Sequence, residues 1–112
     1  MNIDNTKAQM RKGVLELITL SIIEKGEAYP SDIIQELKNA ELIVVEGTMY
    51  PLLNRLKNAG LLSYYWQEST SGPPRKYFKI TPEGSEFLEE LRKTWDKLDN
   101  ALKSTSKPLA DN

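Results

Sequence analysis

The chain of 112 residues contains neither cysteine nor histidine. Without cysteine there is no disulfide and no thiolate metal site. Without histidine there is no imidazole ligand, no Cys–His pair and no Ser–His–Asp relay. No cofactor and no metal is therefore expected. The carboxylates that remain are spread over helix-like segments, with no glycine-rich phosphate loop and no metal-loop spacing among them. Solvated surface charge accounts for them, so an enzyme is not expected. Long apolar runs are missing too. None approaches the roughly 20 residues of a membrane helix, and Met1 to Arg11 is polar, unlike a secretory signal. The expectation is a cytoplasmic protein.

What is present suits one folded domain: 39% hydrophobic and 28% charged residues. The net charge of −1 is unevenly spread. Residues 1–12 carry three basic groups against one acidic, and residues 13–46 carry two against seven. Residues 47–80 carry five basic groups against one acidic, and residues 81–112 carry five against seven. With a screening length of about 8 Å at physiological salt, a phosphate responds to the positive third quarter rather than to the total.

Lys7 to Glu24 reads as a helix, apolar over most of its circumference through Val14, Leu15, Leu17, Ile18, Leu20, Ile22 and Ile23. Gly26 is available as its left-handed terminator. Ser31 to Ala40 forms a second helix, with Pro30 or Ser31 at its start and Ile33, Ile34 and Leu37 as the core stripe. Leu42 to Val45 suits an extended connector or a short strand. A third helix spans Thr48 to Ala59, with Thr48 as cap, Pro51 in the first turn and Gly60 after its end. Leu61 to Gln67 and Arg75 to Thr81 read as a hairpin with a long polar tip, Glu68 to Pro74. Thr81 caps a last helix that opens on Pro82 and runs to about Leu102.

The order is helix, helix, helix, hairpin, helix. This is a mainly α fold with a small β-wing (α+β): a winged helix-turn-helix over residues 1–80, a long helix over 81–103 that suits dimerisation, and a disordered tail over 104–112. On the third helix, Met49, Leu52, Leu53, Leu56 and Ala59 fall in one arc at about 100° per residue. Tyr50, Pro51, Asn54 and Asn58 fall opposite, with Arg55 and Lys57 flanking them. Such an outer face suits the DNA major groove: asparagine pairs with adenine, arginine reads guanine, and tyrosine and lysine hold phosphates. An ordinary amphipathic surface helix has the same pattern. Arg75 and Lys76 follow a Gly-Pro-Pro tip and are placed for backbone or minor-groove contact. A charged edge strand that merely resists aggregation is the other reading.

Several motifs taken together resemble the PadR family. They are Gly13-Val-Leu-Glu-Leu, Tyr29, Gly47-Thr-Met-Tyr-Pro-Leu-Leu-Asn-Arg-Leu, Gly60-Leu-Leu, Gly72-Pro-Pro-Arg-Lys-Tyr-Phe and Thr81-Pro-Glu-Gly. The likeness covers residue 7 to about 102, and the single C-terminal helix resembles the compact subfamily. It implies a homodimeric repressor bound to double-stranded operator DNA. Thr48, Tyr50, Pro51, Asn54 and Arg55 would then lie on the reading helix, Gly72, Arg75 and Lys76 in the wing, and Tyr29 and Ser31 against phosphate.

Leu88, Leu91, Trp95, Leu98 and Leu102 recur at coiled-coil spacing. Pairing of this seam with Val14, Leu15 and Ile18 across a two-fold axis would bury both helices. It would also set two reading helices about 34 Å apart. Packing of the two helices only on each other within one chain is the alternative. Trp95 is either core or, as in the multidrug-binding members that the sequence resembles, one wall of a pore for a small planar aromatic effector. Val14 and Asp99 would sit beside it. Arg92 and Lys7 stand where those members are apolar. A winged helix used for protein–protein contact without DNA remains the rival function.

Overall fold

The computed structural model describes residues 1–109. Six elements follow one another: α1 (Ile3–Lys25), α2 (Pro30–Asn39), α3 (Glu46–Asn58), β1 (Leu62–Ser69), β2 (Gly72–Ile80) and α4 (Pro82–Thr105). No helix among the described residues is long and apolar enough to cross a membrane. The helix and hairpin order matches the sequence reading, while several boundaries move. α1 begins at Ile3 rather than Lys7, because the Asn2 side chain accepts hydrogen bonds from the backbone N–H groups of Asp4 and Asn5. Gly26 is extended (φ 176°), not left-handed. Leu42 to Val45 is a connector without strand pairing.

The left-handed terminators lie elsewhere. Gly60, at φ 80°, follows α3. Its N–H donates to Lys57 O (2.9 Å), and Leu61 N–H donates to Leu56 O (3.0 Å). The same double bond closes α2 through Glu41 N–H to Lys38 O and Leu42 N–H to Leu37 O, both 2.9 Å. There the left-handed residue is Glu41, at φ 66°.

One core gathers all the helices and the inner end of the hairpin. Leu20, Ile23, Ile33, Leu37, Met49, Leu53, Phe78 and Leu88 are essentially inaccessible to solvent. β1 and β2 pair antiparallel from Leu62↔Ile80 outward to Gln67↔Arg75, and then Ser69↔Gly72. The hairpin is seamed to the helices by Ala28, which pairs with Phe78 through two backbone bonds of 3.1 and 2.8 Å.

The long polar tip expected over Glu68 to Pro74 is instead a two-residue turn, Thr70-Ser71. Pro73 and Pro74 lie inside β2, at the register shift opposite Glu68. A bulge tolerates them because neither ring nitrogen has a proton to give the ladder. The last helix holds one turn more tightly to the core than its seam suggested. Leu88 is wholly buried within its own chain, and Leu91 packs against the same core. Leu88 is therefore not free to form a dimer surface, whereas Leu91 is only partly covered. Ser104 and Thr105, assigned from the sequence to the tail, continue α4. Residues 110–112 of that tail lie outside the described residues.

Candidate nucleic-acid interface

α3 starts earlier than its sequence suggested, at Glu46 after Val45, and no side chain caps it. Thr48 is therefore inside the first turn, not the cap, and Pro51 lies within the helix. The inner face is as expected for Met49, Leu52, Leu53 and Leu56, which are buried, but Ala59 is exposed because the helix ends at Asn58 and Ala59 is its C-cap. Tyr50, Pro51, Asn54 and Asn58 are exposed together on the outer face.

The flanks divide in a way that sequence alone did not show. Arg55 turns toward α1, where its guanidinium donates to the Glu16 carboxylate at 2.9 Å. With Thr48 it borders a groove of about 480 Å³ between α1, the 42–45 connector and α3. The groove is floored by Leu15, Val44 and Leu52 and rimmed by Arg11 and Lys12. Arg55 is thus a tether between helices before it is a reader of bases. Lys57, on the other flank, lies over the Tyr64 ring of β1, 5.3 Å from its centre.

The wing cations separate as well. Strand alternation sends Arg75 and Lys76 to opposite faces of the ribbon, so they do not form the paired patch that their adjacency suggested. Arg75 faces the start of α2. Its guanidinium donates to the Tyr29 hydroxyl at 2.8 Å and lies 4.8 Å from the centre of that ring. Tyr29 in turn meets Tyr77 edge-on at 5.1 Å, and Tyr77 stacks on Tyr65 at 5.7 Å. The Tyr65 hydroxyl donates to Glu27, which holds its pKa above the ordinary phenol value. Tyr29 is half-buried in this cluster, and Ser31 is exposed one residue after Pro30 opens α2. Lys76 lies on the other face, over Tyr64 at 4.0 Å and Phe78 at 5.3 Å. Gly72 is exposed beside the turn.

Charge is preserved by this arrangement. Among the described residues no carboxylate lies within 4.0 Å of Lys57, Arg75, Lys76 or Lys79. Three of the four are held by aromatic rings or a phenol, which orient a cation without neutralising it. Sequence reading named the cations and Tyr29 but missed the rings of the wing itself. The signal was available, since period-two alternation from Leu62 places Tyr64 and Trp66 on one face and Tyr65 on the other. Toward the far end, Trp95 is 45% exposed, and Asp99 is engaged by Lys103 at 2.9 Å. Arg92 pairs with Glu24 at 3.0 Å.

A tri-helical core, an antiparallel wing seamed to it and a long following helix define a winged helix-turn-helix protein. The sequence profile of the PadR-like transcriptional regulators matches residues 19–90, and the chain belongs to that family of regulators, which are not enzymes. It is similar to a PadR-like transcription factor of Bacteroides fragilis, with 57% identity and a TM-score of 0.79 over 91% of this chain and 99% of that one. A PadR family regulator of Eggerthella lenta superposes with a TM-score of 0.84 at 28% identity, over 96% and 94% of the two chains. The transcriptional regulator Rv3488 of Mycobacterium tuberculosis is 30% identical over 80% of this chain and 83% of its own.

Proposed function

We propose that this protein is a cytoplasmic, sequence-specific DNA-binding repressor that works as a homodimer. The observation that carries the reading is the outer face of α3. Tyr50, Asn54 and Asn58 are exposed there beside Lys57, which no carboxylate among the described residues neutralises, while Arg55 on the other flank pairs with Glu16. Amides on such a helix offer an acceptor and a donor that complement the N6–H donor and N7 acceptor of adenine in the major groove. Lys57, Arg75 and Lys76 supply the sequence-independent attraction to the backbone. Family membership favours this over a docking module, because the regulators that the chain resembles act on transcription.

The dimer is supported by what α4 leaves uncovered. Trp95, Leu98 and Leu102 are 45%, 61% and 65% exposed. On α1, Met10 is exposed and Val14 only half-buried. A second copy that laid its α4 stripe on this part of α1 would cover both. In that dimer Trp95 and Val14 would border a central cleft suited to a small planar aromatic effector. The Lys103 pairing leaves Asp99 less able to attract a cationic one.

The test is selection of bound fragments from genomic DNA, followed by gel-shift titration of the recovered duplex. A symmetric motif occupied by two chains is expected. Asn54→Ala should weaken the selected duplex by about 1–3 kcal/mol and relax base preference at one position. Lys76→Gln should weaken all duplexes alike and flatten the log–log salt dependence by about one phosphate contact. A chain that retains no duplex at low salt would be a protein-docking module instead.

A further inference from the structure

Ile43 and Val45 are 65% and 63% exposed on the connector between α2 and α3. A lone apolar side chain in water is ordinary, but these two border a groove. With Leu15 of α1, Leu42 and Val44 of the connector and Leu52 of α3, they line the space of about 480 Å³ between the three segments. That volume falls within the range of about 300–1,000 Å³ that small organic ligands occupy. The groove's lining includes no aromatic ring and no carboxylate. Its charged groups are three cations, Arg11, Lys12 and Arg55, all open to solvent. Among the described residues no carboxylate lies within 4.0 Å of Arg11 or Lys12, and Arg55 meets only Glu16. An aliphatic trough rimmed by cations of one sign is what these residues make.

We propose that this groove is a binding site for an amphiphilic anion, a straight-chain alkyl carboxylate. The alkyl chain covers Ile43, Val44 and Val45, and the carboxylate sits among Arg11, Lys12 and Arg55. The lining selects that ligand. Aliphatic walls reward apolar area of any shape but give a flat aromatic ring nothing to stack on. A neutral amphiphile gains the walls and nothing from the cations, whereas a sugar–phosphate strand gains the cations and leaves the walls wet. A second copy of the chain is placed elsewhere. Met10 and Val14, which the proposed dimer covers, lie about 100° or more around α1 from Ala8 and Leu15, which face the groove. Arg55 connects the ligand to the fold, because the incoming carboxylate competes with Glu16 for its guanidinium. Binding therefore loosens the tether between α1 and α3 and replaces it with a bridge. The site is independent of DNA binding by α3, and its experiment contains no duplex.

The probe is decanoate, titrated below its micellar concentration into the full chain with carbon-13 in the methyl groups of Ile, Leu and Val. Saturable shifts are expected at Ile43, Val44, Val45 and Leu52, while Leu98 and Leu102 on α4 stay where they were. Decanol, with the same chain and no charge, should bind about tenfold more weakly, as should decanoate to Arg11→Gln with Lys12→Gln. Glu16→Gln removes the competitor for Arg55 and should tighten decanoate severalfold, an effect that a merely greasy surface would not produce. Val45→Glu sets an anion in the groove at an exposed position and should abolish binding at an unchanged melting temperature. The proposal is overturned if decanol binds as well as decanoate, or if no groove methyl moves at about 1 mM. Shifts confined to Leu98 and Leu102 would overturn it in favour of the cleft beside Trp95. Groove methyls that move on dilution of the chain alone would overturn it too, since a second copy would then be the occupant.

Discussion

A methyl group added to Gly84 would stand 2.0 Å from the Leu61 carbonyl oxygen and 2.7 Å from a side-chain carbon of Ile80. The first of those neighbours is backbone and cannot swing aside. Gly84→Ala is therefore expected to lower stability by about 3 kcal/mol, measured as the shift in a urea unfolding midpoint at constant slope. The sequence showed this glycine only as part of the Thr81-Pro-Glu-Gly motif, because close approach between distant segments leaves no mark on local composition. Glu41 is the opposite case. It holds a left-handed conformation that glycine adopts without a Cβ clash. Replacement by glycine should raise stability by about 0.5–1 kcal/mol in the same assay, as the helix-ending bonds of Glu41 and Leu42 are made by backbone alone. Nothing in Ala40-Glu41-Leu42 announces a left-handed turn, whereas Gly60 announced the other one openly.

Between elements, Thr81 ties three ends together. Its hydroxyl donates to Gly60 O at 2.7 Å, just past α3, and accepts from Gly84 N–H at 2.9 Å in the first turn of α4. Its own N–H, at the end of the wing, donates to Leu61 O at 3.1 Å. Thr81→Ala should lose about 1–2 kcal/mol of thermal stability, and Thr81→Ser should restore most of it, because the hydroxyl rather than the methyl makes the bonds. Element order and type were legible because hydrophobic period and cap residues are local properties. The start of α3 was not. Thr48 is a good cap by composition, but Glu46 and Gly47 wind into the helix after an extended Val45 with no side-chain cap. Half of the candidate interface was legible on the same terms. Helical spacing fixed the buried side of α3, and with it the exposure of Tyr50 and Asn54. The fates of Arg55, Arg75 and Lys76 depended on which carboxylate or ring came near in space, namely Glu16 on α1, Tyr29 before α2 and Tyr64 on β1.

Across the whole molecule, the dimensions are those of a body with a projecting rod. The longest axis is 71 Å against 32 and 23 Å, and the radius of gyration is 17.3 Å. A compact chain of this length would have about 13 Å. Both the far half of α4, whose Leu98 and Leu102 lie outside the core, and the exposed first half of α1 extend beyond that core. Leu98→Glu with Leu102→Glu should leave the fold of an isolated chain intact while shifting the sedimentation coefficient from dimer to monomer. Loss of apparent thermal stability at low protein concentration would accompany it. Leu88, buried within the chain, would behave differently, and its replacement by alanine should unfold rather than merely dissociate, by about 2–5 kcal/mol. The proposed dimer, in which each copy finishes the other's apolar surface, would carry a built-in threshold. Below the dissociation constant of the pair, promoter occupancy would climb with the square of the free chain, so a modest change in expression would act on transcription as a switch.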